Sequence, residues 1–453
     1  MPTGPPVRRF ALTEAVVPVE PGSAAARRSA AEARLKRVCA QASRAEARAA
    51  AVGFGVIVLP GFNDGGYYAR WWAWMALGLA ALATLQLILG RRAAFGSLEW
   101  VSISALGALV LWMLLSASWG VPGTEAMREA GRGLMYLIGL VAFLLVVQAG
   151  AIRAFLEGIL AGIVGLISYG LYDRLARAHV PDPFQGSLLA EPVGYANALG
   201  VLAAIGVLLG VAMLWGEQRR FGKGLLVVAA GVCGIGLVLT SSRGAWVSTA
   251  VGIAVLGVLR PRRRSIFRRG RVFALGAIVF VVVGLWVAAS APLPAMGDRP
   301  SFWRVALEDA GMHPLLGSGA GSFDDVWIAH RPIAANVRDA HSLYLEVLAE
   351  LGPVGLALLL AMLAAPLVGA ARARGTPVVA AAAAGYSAYL VHAGLDWDWE
   401  YPVVTLAGLA CGAGLLIAAR PRTEPWSNEG AERSVRDVSG MHRNVCSLIL
   451  SES

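Results

Sequence analysis

Three polar segments interrupt an otherwise apolar chain, and each carries a residue type suited to handling an anion or a proton. The first is Thr240-Ser241-Ser242-Arg243-Gly244, a break between two apolar runs. A guanidinium is permanently charged and grips phosphate oxygens through two parallel hydrogen bonds. Arg243 is therefore either a snorkelling side chain closing a hairpin or part of an anion site. The second runs from Gly297 through Asp298, Arg299, Pro300, Ser301, Phe302, Trp303 and Arg304 to Glu308. It continues into His313-Pro314-Leu315-Leu316-Gly317-Ser318-Gly319-Ala320-Gly321-Ser322-Phe323. Glycines at alternate positions let backbone N–H groups approach a ligand and can form an anion nest; the same pattern also makes a plain turn. The third is Asp339-Ala340-His341-Ser342-Leu343-Tyr344-Leu345-Glu346. His341 stands where an apolar helix begins. The positive end of a helix dipole disfavours an imidazolium, which leaves a neutral base able to take a proton from a hydroxyl. A capping or packing role is the plainer reading of His341, and of Asp339 and Ser342 beside it.

Two further spots carry a weaker signal. Asn197, in Glu191-Pro192-Val193-Gly194-Tyr195-Ala196-Asn197-Ala198, is a polar group facing a helix bundle, where a helix-to-helix hydrogen bond explains it. His392 precedes the acidic aromatic turn Asp396-Trp397-Asp398-Trp399-Glu400-Tyr401, for which an interfacial Trp/Tyr belt is the default account. Asn197, Ser242, Tyr344 and Asp396 are thus supporting candidates. The chain has no GxxxxGK[ST], no HExxH and no paired carboxylates at metal spacing, so an ATP-driven pump or zinc protease has no support and no metal or cofactor is expected.

The elements that must position these residues are membrane helices. Of 453 residues, 57% are hydrophobic and 15% charged, against about 45 to 50% and about 25% in soluble domains. A solvated globular enzyme and a disordered chain are both excluded. Apolar segments at 46–61, 71–90, 99–118, 132–148, 154–172, 193–215, 224–241, 244–259, 272–290, 343–368, 377–395 and 401–419 predict an all-α polytopic bundle of about 12 spans, each near the roughly 20 residues that cross a bilayer. The net charge is +10, but the basic residues cluster in short loops, so topology accounts for them and nucleic acid is not expected. Cys39, Cys233, Cys411 and Cys446 show no CxxC spacing, which argues against a disulfide framework or a metal site.

Lys and Arg in the loops set the orientation. With the N-terminus inside, the inner loops hold Arg91, Arg92, Arg153, Arg219, Arg220, Lys223, the arginines of 260–271, Arg372 and Arg374. The expected layout is a basic cytoplasmic tail over 1–45, nine spans over 46–290, an extracytoplasmic loop over 291–341, three spans over 342–419 and a cytoplasmic tail over 420–453. The tail from Ser23 to Ala50 suits a basic helix at the membrane surface. The loop is too short to bury a large core alone, so it is expected to pack on the bundle as a lid.

Taken in order, Ser242-Arg243-Gly244, then Arg299 with Trp303 four residues later, then the segment from His313 to Phe323, then His341-Ser342-Leu343-Tyr344-Leu345 and Glu350-Leu351-Gly352-Pro353-Val354-Gly355 resemble the O-antigen ligase superfamily. That superfamily includes O-antigen polymerases and protein O-oligosaccharyltransferases. The likeness runs from about Gly194 to Gly355 and is one of hydropathy alone over the first five segments. It implies a GT-C-like, metal-independent glycosyltransferase of the inner or plasma membrane. Such an enzyme moves a glycan from a polyprenyl diphosphate carrier to a glycan, lipid or protein hydroxyl on the extracytoplasmic face. Carried over by position, His341 is the base, while Arg243 and Arg299 hold the diphosphate, with Arg304 a rival to Arg299. The family usually has Asn where this chain has Ser342. A single base acting in direct displacement inverts the anomeric centre, unlike a double displacement through a carboxylate. The reading from another class is a secondary transporter or lipid flippase, which predicts internal repeats and paired interrupted helices.

Overall fold

The computed structural model describes residues 23–89, 95–120, 123–176, 185–259 and 297–421. The expected segment at 272–290 lies outside these, as does most of each tail. The chain forms two units, residues 1–44 with 424–453, and residues 45–423; every candidate residue belongs to the second. The helices are α1 (Ser23–Gly61), α2 (Ala69–Ile88), α3 (Ser97–Ser116), α4 (Gly123–Val146), α5 (Ile152–Ala176), α6 (Ala196–Met213), α7 (Arg220–Thr240), α8 (Arg243–Leu259), α9 (Arg299–Met312), α10 (Phe323–His330), α11 (Leu343–Arg372), α12 (Pro377–Ala393) and α13 (Pro402–Ala418).

Among the described residues seven helices are long and apolar enough to cross a membrane, and α8, α12 and α13 are shorter apolar helices. Among the described residues the count of about 12 spans is thus not reached by length: these three hold 17 residues each, against the roughly 20 that a perpendicular crossing needs. Helix α1 runs without a break from Ser23 to Gly61, because Ala, Arg and Glu are all good helix formers. Cys39 is held in a disulfide, contrary to expectation, since spacing along a chain does not report which cysteines a fold brings together. Cys233 and Cys411 are free and buried.

Local sequence sets the helix starts. Proline fixes the backbone angle that a first turn needs, and Pro377 and Pro402 open α12 and α13; Thr376 Oγ1 accepts from Val379 N at 3.3 Å. Helix α6 is enclosed on nearly all sides, as expected of a helix apolar all round. Helix α2 lies at the periphery, with Trp74, Leu77 and Ile88 exposed. Small residues set the closest approaches: a Cβ at Gly158 on α5 would stand 2.1 Å from the carbonyl oxygen of Ala50 on α1.

At one end of the bundle α9 and α10 build a small core of Phe302, Val305, Ala306, Phe323, Trp327 and Ala340 against Ala349 of α11. Helix α11 kinks at Gly352, where φ is 66°, and Pro353 has no N–H for the carbonyl of Ala349. The carbonyls stranded there find donors elsewhere. Ser318 N bonds Ala349 O at 3.0 Å, Gly319 N bonds Glu350 O at 2.8 Å, and Trp112 Nε1 bonds Leu351 O at 2.9 Å. The glycine segment is therefore a strap over the kink.

Candidate functional site

Residues four apart share a helix face, so Arg299 and Trp303 in the first turns of α9 look the same way. Arg299 Nη2 donates to Asp396 Oδ2 at 2.6 Å, and Trp303 Nε1 donates to the backbone carbonyl of His341 at 3.2 Å. The Phe302 ring lies 4.9 Å from the His341 ring and the Trp397 ring 6.1 Å from it. His341 itself has φ 55°, a left-handed conformation unusual for a residue with a side chain and one that surrounding contacts must hold. Its Nδ1 lies 3.0 Å from the carbonyl oxygen of Asp339. A carbonyl only accepts, so the proton sits on Nδ1 and Nε2 carries the lone pair. Burial pushes the imidazole below its ordinary value; the Asp396 carboxylate and the Asp339 carbonyl pull the other way, Arg299 adds to the lowering, and the net direction is down.

Asp396 is the centre of this network. Its carboxylate accepts from Tyr195 Oη at 2.7 Å, Asn197 Nδ2 at 2.6 Å, Arg299 and its neighbour's amide, Trp397 N, at 2.9 Å. Burial alone would raise its pKa, but Arg299, then His341 and His392, hold it below the usual carboxylate range. Arg299 is only partly used by this pairing: its side chain stays partly exposed, although its Nε is buried and has no hydrogen-bond partner among the described residues. Trp397 is walled by Tyr195, Tyr401 and Tyr67, with ring centroids 5.1, 5.4 and 5.8 Å away.

The other two acids of the turn point to other elements. His392 Nδ1 stands 2.8 Å from Asp398 Oδ2, both fully buried, though off the line of a hydrogen bond. His392 Nε2 lies 3.5 Å from Ser242 Oγ, at the entry to α8. Glu400 pairs with Arg132 of α4, which also reaches Glu129. In the sequence His392, Asp398 and Glu400 stand out only as part of an acidic aromatic turn of weaker signal, and Arg132 does not stand out as a site candidate. The available signal was an arginine inside an apolar helix and acids at alternate positions 396, 398 and 400.

Asp339, Glu346 and Glu400 bring carboxylate oxygens within 4.8 Å of one another and could hold a metal ion, a juxtaposition that spacing along the chain did not indicate. Glu346 Oε2 already accepts from Ala340 N at 2.6 Å. Burial and the nearby Glu129 raise the Asp339 carboxyl to about 7.

The glycine segment has its anion within the chain: Gly321 N and Phe323 N donate to the Glu350 carboxylate at 2.9 and 3.0 Å. His313 Nδ1 pairs with the buried Asp309 at 2.8 Å and lines a cavity of about 320 Å³ with Trp119 and residues 314–318. The remaining candidates lie as follows. Tyr344 Oη donates to the carbonyl of Leu390 at 2.8 Å. Arg304 is 74% exposed and pairs with Glu308 at 2.7 Å, away from the network around Asp396. Arg243 opens α8, half-buried, next to the Ser242 that His392 approaches.

Bundle and network together define a polytopic helical membrane protein with a guanidinium, an imidazole and a buried carboxylate gathered at one end. The family described as O-antigen ligase matches residues 226–360, which places this segment in the O-antigen ligase superfamily that the motifs resemble. The match spans Ser242, Arg243, Arg299, Arg304, His341 and Tyr344; Asn197, His392 and Asp396 lie outside it. No curated protein matches the chain.

Proposed function

We propose that the protein is a membrane glycosyltransferase that moves a glycan from a polyprenyl diphosphate carrier to an acceptor hydroxyl on the extracytoplasmic face, inverting the anomeric centre without a metal. The observation that carries this reading is the half-used guanidinium. Arg299 is anchored on Asp396 through Nη2 while its side chain stays 26% exposed, close to an imidazole whose Nε2 carries the lone pair. In the transfer step the acceptor hydroxyl gives its proton to His341 Nε2 as its oxygen bonds the anomeric carbon. The bond from that carbon to the carrier diphosphate breaks, and the negative charge developing on the leaving oxygen meets Arg299 and Arg243. Fixed cations favour that charge most in the transition state. Ligation, polymerisation and protein O-glycosylation share this donor chemistry and differ in the acceptor.

The test is transfer from a polyprenyl diphosphate-linked glycan by purified protein without nucleotide or ion gradient. The expected result is turnover that survives EDTA and is abolished in His341→Ala. Transfer by His341→Ala near the wild-type rate removes the base. Loss in EDTA restored by Mg²⁺ or Mn²⁺ replaces the metal-free mechanism with one using Asp339, Glu346 and Glu400. The cytoplasmic placement of both termini belongs to the same proposal and rests on the distribution of Lys and Arg. The disulfide at Cys39 stands against it, since such bonds are rare in the cytosol. Thiol labelling from each side of the membrane decides between them.

A further inference from the structure

The turn from Asp396 to Glu400 sends three buried carboxylates to three different elements, and the middle one has no role in the mechanism above. No well-aligned hydrogen bond from the described residues is made to either oxygen of Asp398. A buried carboxylate left unanswered is costly, and what answers it is the His392 ring, 2.8 Å away. The far side of that ring meets the first turn of α8. Ser242 Oγ lies 3.5 Å from Nε2, and a Cβ at Gly244 would stand 3.0 Å from the same nitrogen, so Gly244 is the residue that lets the ring lie there. Ser242 in turn caps α8: its Oγ accepts from Ala245 N at 3.3 Å and its carbonyl from Trp246 N at 3.2 Å. Just before it, Ser241 holds φ 49°, a left-handed conformation that neighbouring contacts must maintain. Arg243 is bracketed by these contacts, with Ser242 and Gly244 both against His392.

The order Ser, His, Asp resembles a nucleophile triad. Ser242 is buried and its Oγ is engaged by the Ala245 amide, whereas a nucleophile must reach its substrate. A positioning role fits the contacts instead. We propose that His392, backed by Asp398, fixes the first turn of α8 and thereby aims Arg243 at the diphosphate of the lipid-linked donor. This rests on the donor role of Arg243 proposed above. Because one turn then holds Arg299 through Asp396 and Arg243 through Asp398, both cations are referenced to a common frame.

The experiment is a double-mutant cycle on the purified full-length chain, reading kcat/KM and kcat for the donor in wild type, Arg243→Ala, His392→Gln and the double variant. The expected result is a donor kcat/KM lowered about fivefold or more by His392→Gln, with kcat sharing the loss because the cation acts on charge developed in the transition state, and a double variant whose donor kcat/KM equals that of Arg243→Ala. Ratios that multiply in the double variant mean independent action and overturn the proposal. So does a wild-type donor kcat/KM in His392→Gln; a packing role alone lowers yield or melting temperature and leaves that constant unmoved. Should His392→Gln fail to accumulate in the membrane, Asp398→Asn enters the same cycle with the same expectations. An unchanged donor kcat/KM in Arg243→Ala alone removes the donor role of Arg243, and the proposal with it, and is distinct from the multiplicative result, which removes only the tether.

Discussion

Replacing Arg299 with lysine keeps the charge and removes the fork, and the contacts of the guanidinium set the size of the loss. Its Nη2 is committed to Asp396 at 2.6 Å, while part of the side chain stays exposed. One planar cation can therefore serve an internal anchor and an external anion together. A lysine ammonium is a single point on a flexible stem; seated on Asp396, it leaves the diphosphate short of one charge-assisted hydrogen bond. Such a bond contributes about 1.5 to 3 kcal/mol. At about 1.4 kcal/mol per factor of ten, kcat/KM for the donor falls about 10- to 150-fold. The assay is initial rate against donor concentration at fixed acceptor. Arg304→Ala is the internal comparison, since an exposed pair such as Arg304 with Glu308 contributes little, and its kcat/KM stays within about twofold of wild type. Arg299→Lys remaining within about threefold of wild type, or Arg304→Ala falling as far as Arg299→Lys, refutes the reasoning.

Three other outcomes follow from the same contacts. His341 works as a base only when neutral, and burial pushes its pKa down, so log kcat/KM rises with pH and levels off at a midpoint below about 6.5; a midpoint above that value points to a different base. Asp339 is raised to about 7, so the folded chain holds its proton more tightly than the unfolded chain, and stability is lost as pH rises through that value. Asp339→Asn should melt with the wild type at pH 3.5 and above it at pH 8, and a variant less stable at pH 8 contradicts this. Gly158→Val drives a Cβ to within 2.1 Å of the Ala50 carbonyl, an overpacking that costs about 1 to 3 kcal/mol. Gly165→Ala meets nothing within 4 Å and should leave the melting temperature unchanged; equal melting of the two variants removes the account of the α1 to α5 contact.

Hydropathy located the helices because lipid-facing and enclosed positions are both apolar, so a span reads as one continuous run. It did not give their lengths. Nothing in local propensity ends α1 near Ala45, and α12 and α13 are short because polar turns cut them at the end where the candidate residues gather. At that end the legible part is what one helix face encodes. Arg299 and Trp303, four apart, point together, and Arg304, one residue further on, turns away. The conformations of Ser241 and His341, with φ 49° and 55°, are set by tertiary contact and leave no mark in residue type.

The acidic turn shows why pairings across long stretches of chain stay hidden. Read along the sequence, Asp396-Trp397-Asp398-Trp399-Glu400 looks like an interfacial belt, because tryptophan favours that depth and acids favour water beside it. The three acids are instead among the most buried groups of the protein, and a buried carboxylate requires a cation or donors from elsewhere. Those partners are Arg299, 97 residues before Asp396, and Arg132, 268 residues before Glu400; only His392 is near in sequence. Each partner alone has an ordinary explanation: a loop arginine, a helix-end arginine, a packing histidine. Three acids on one short turn cannot all be neutralised by their own neighbourhood, since residues 393–401 contain no Lys, Arg or His. That imbalance is the physical trace of the site in the sequence. It implies either that the turn is solvated or that distant cations converge on it, and burial decides for convergence.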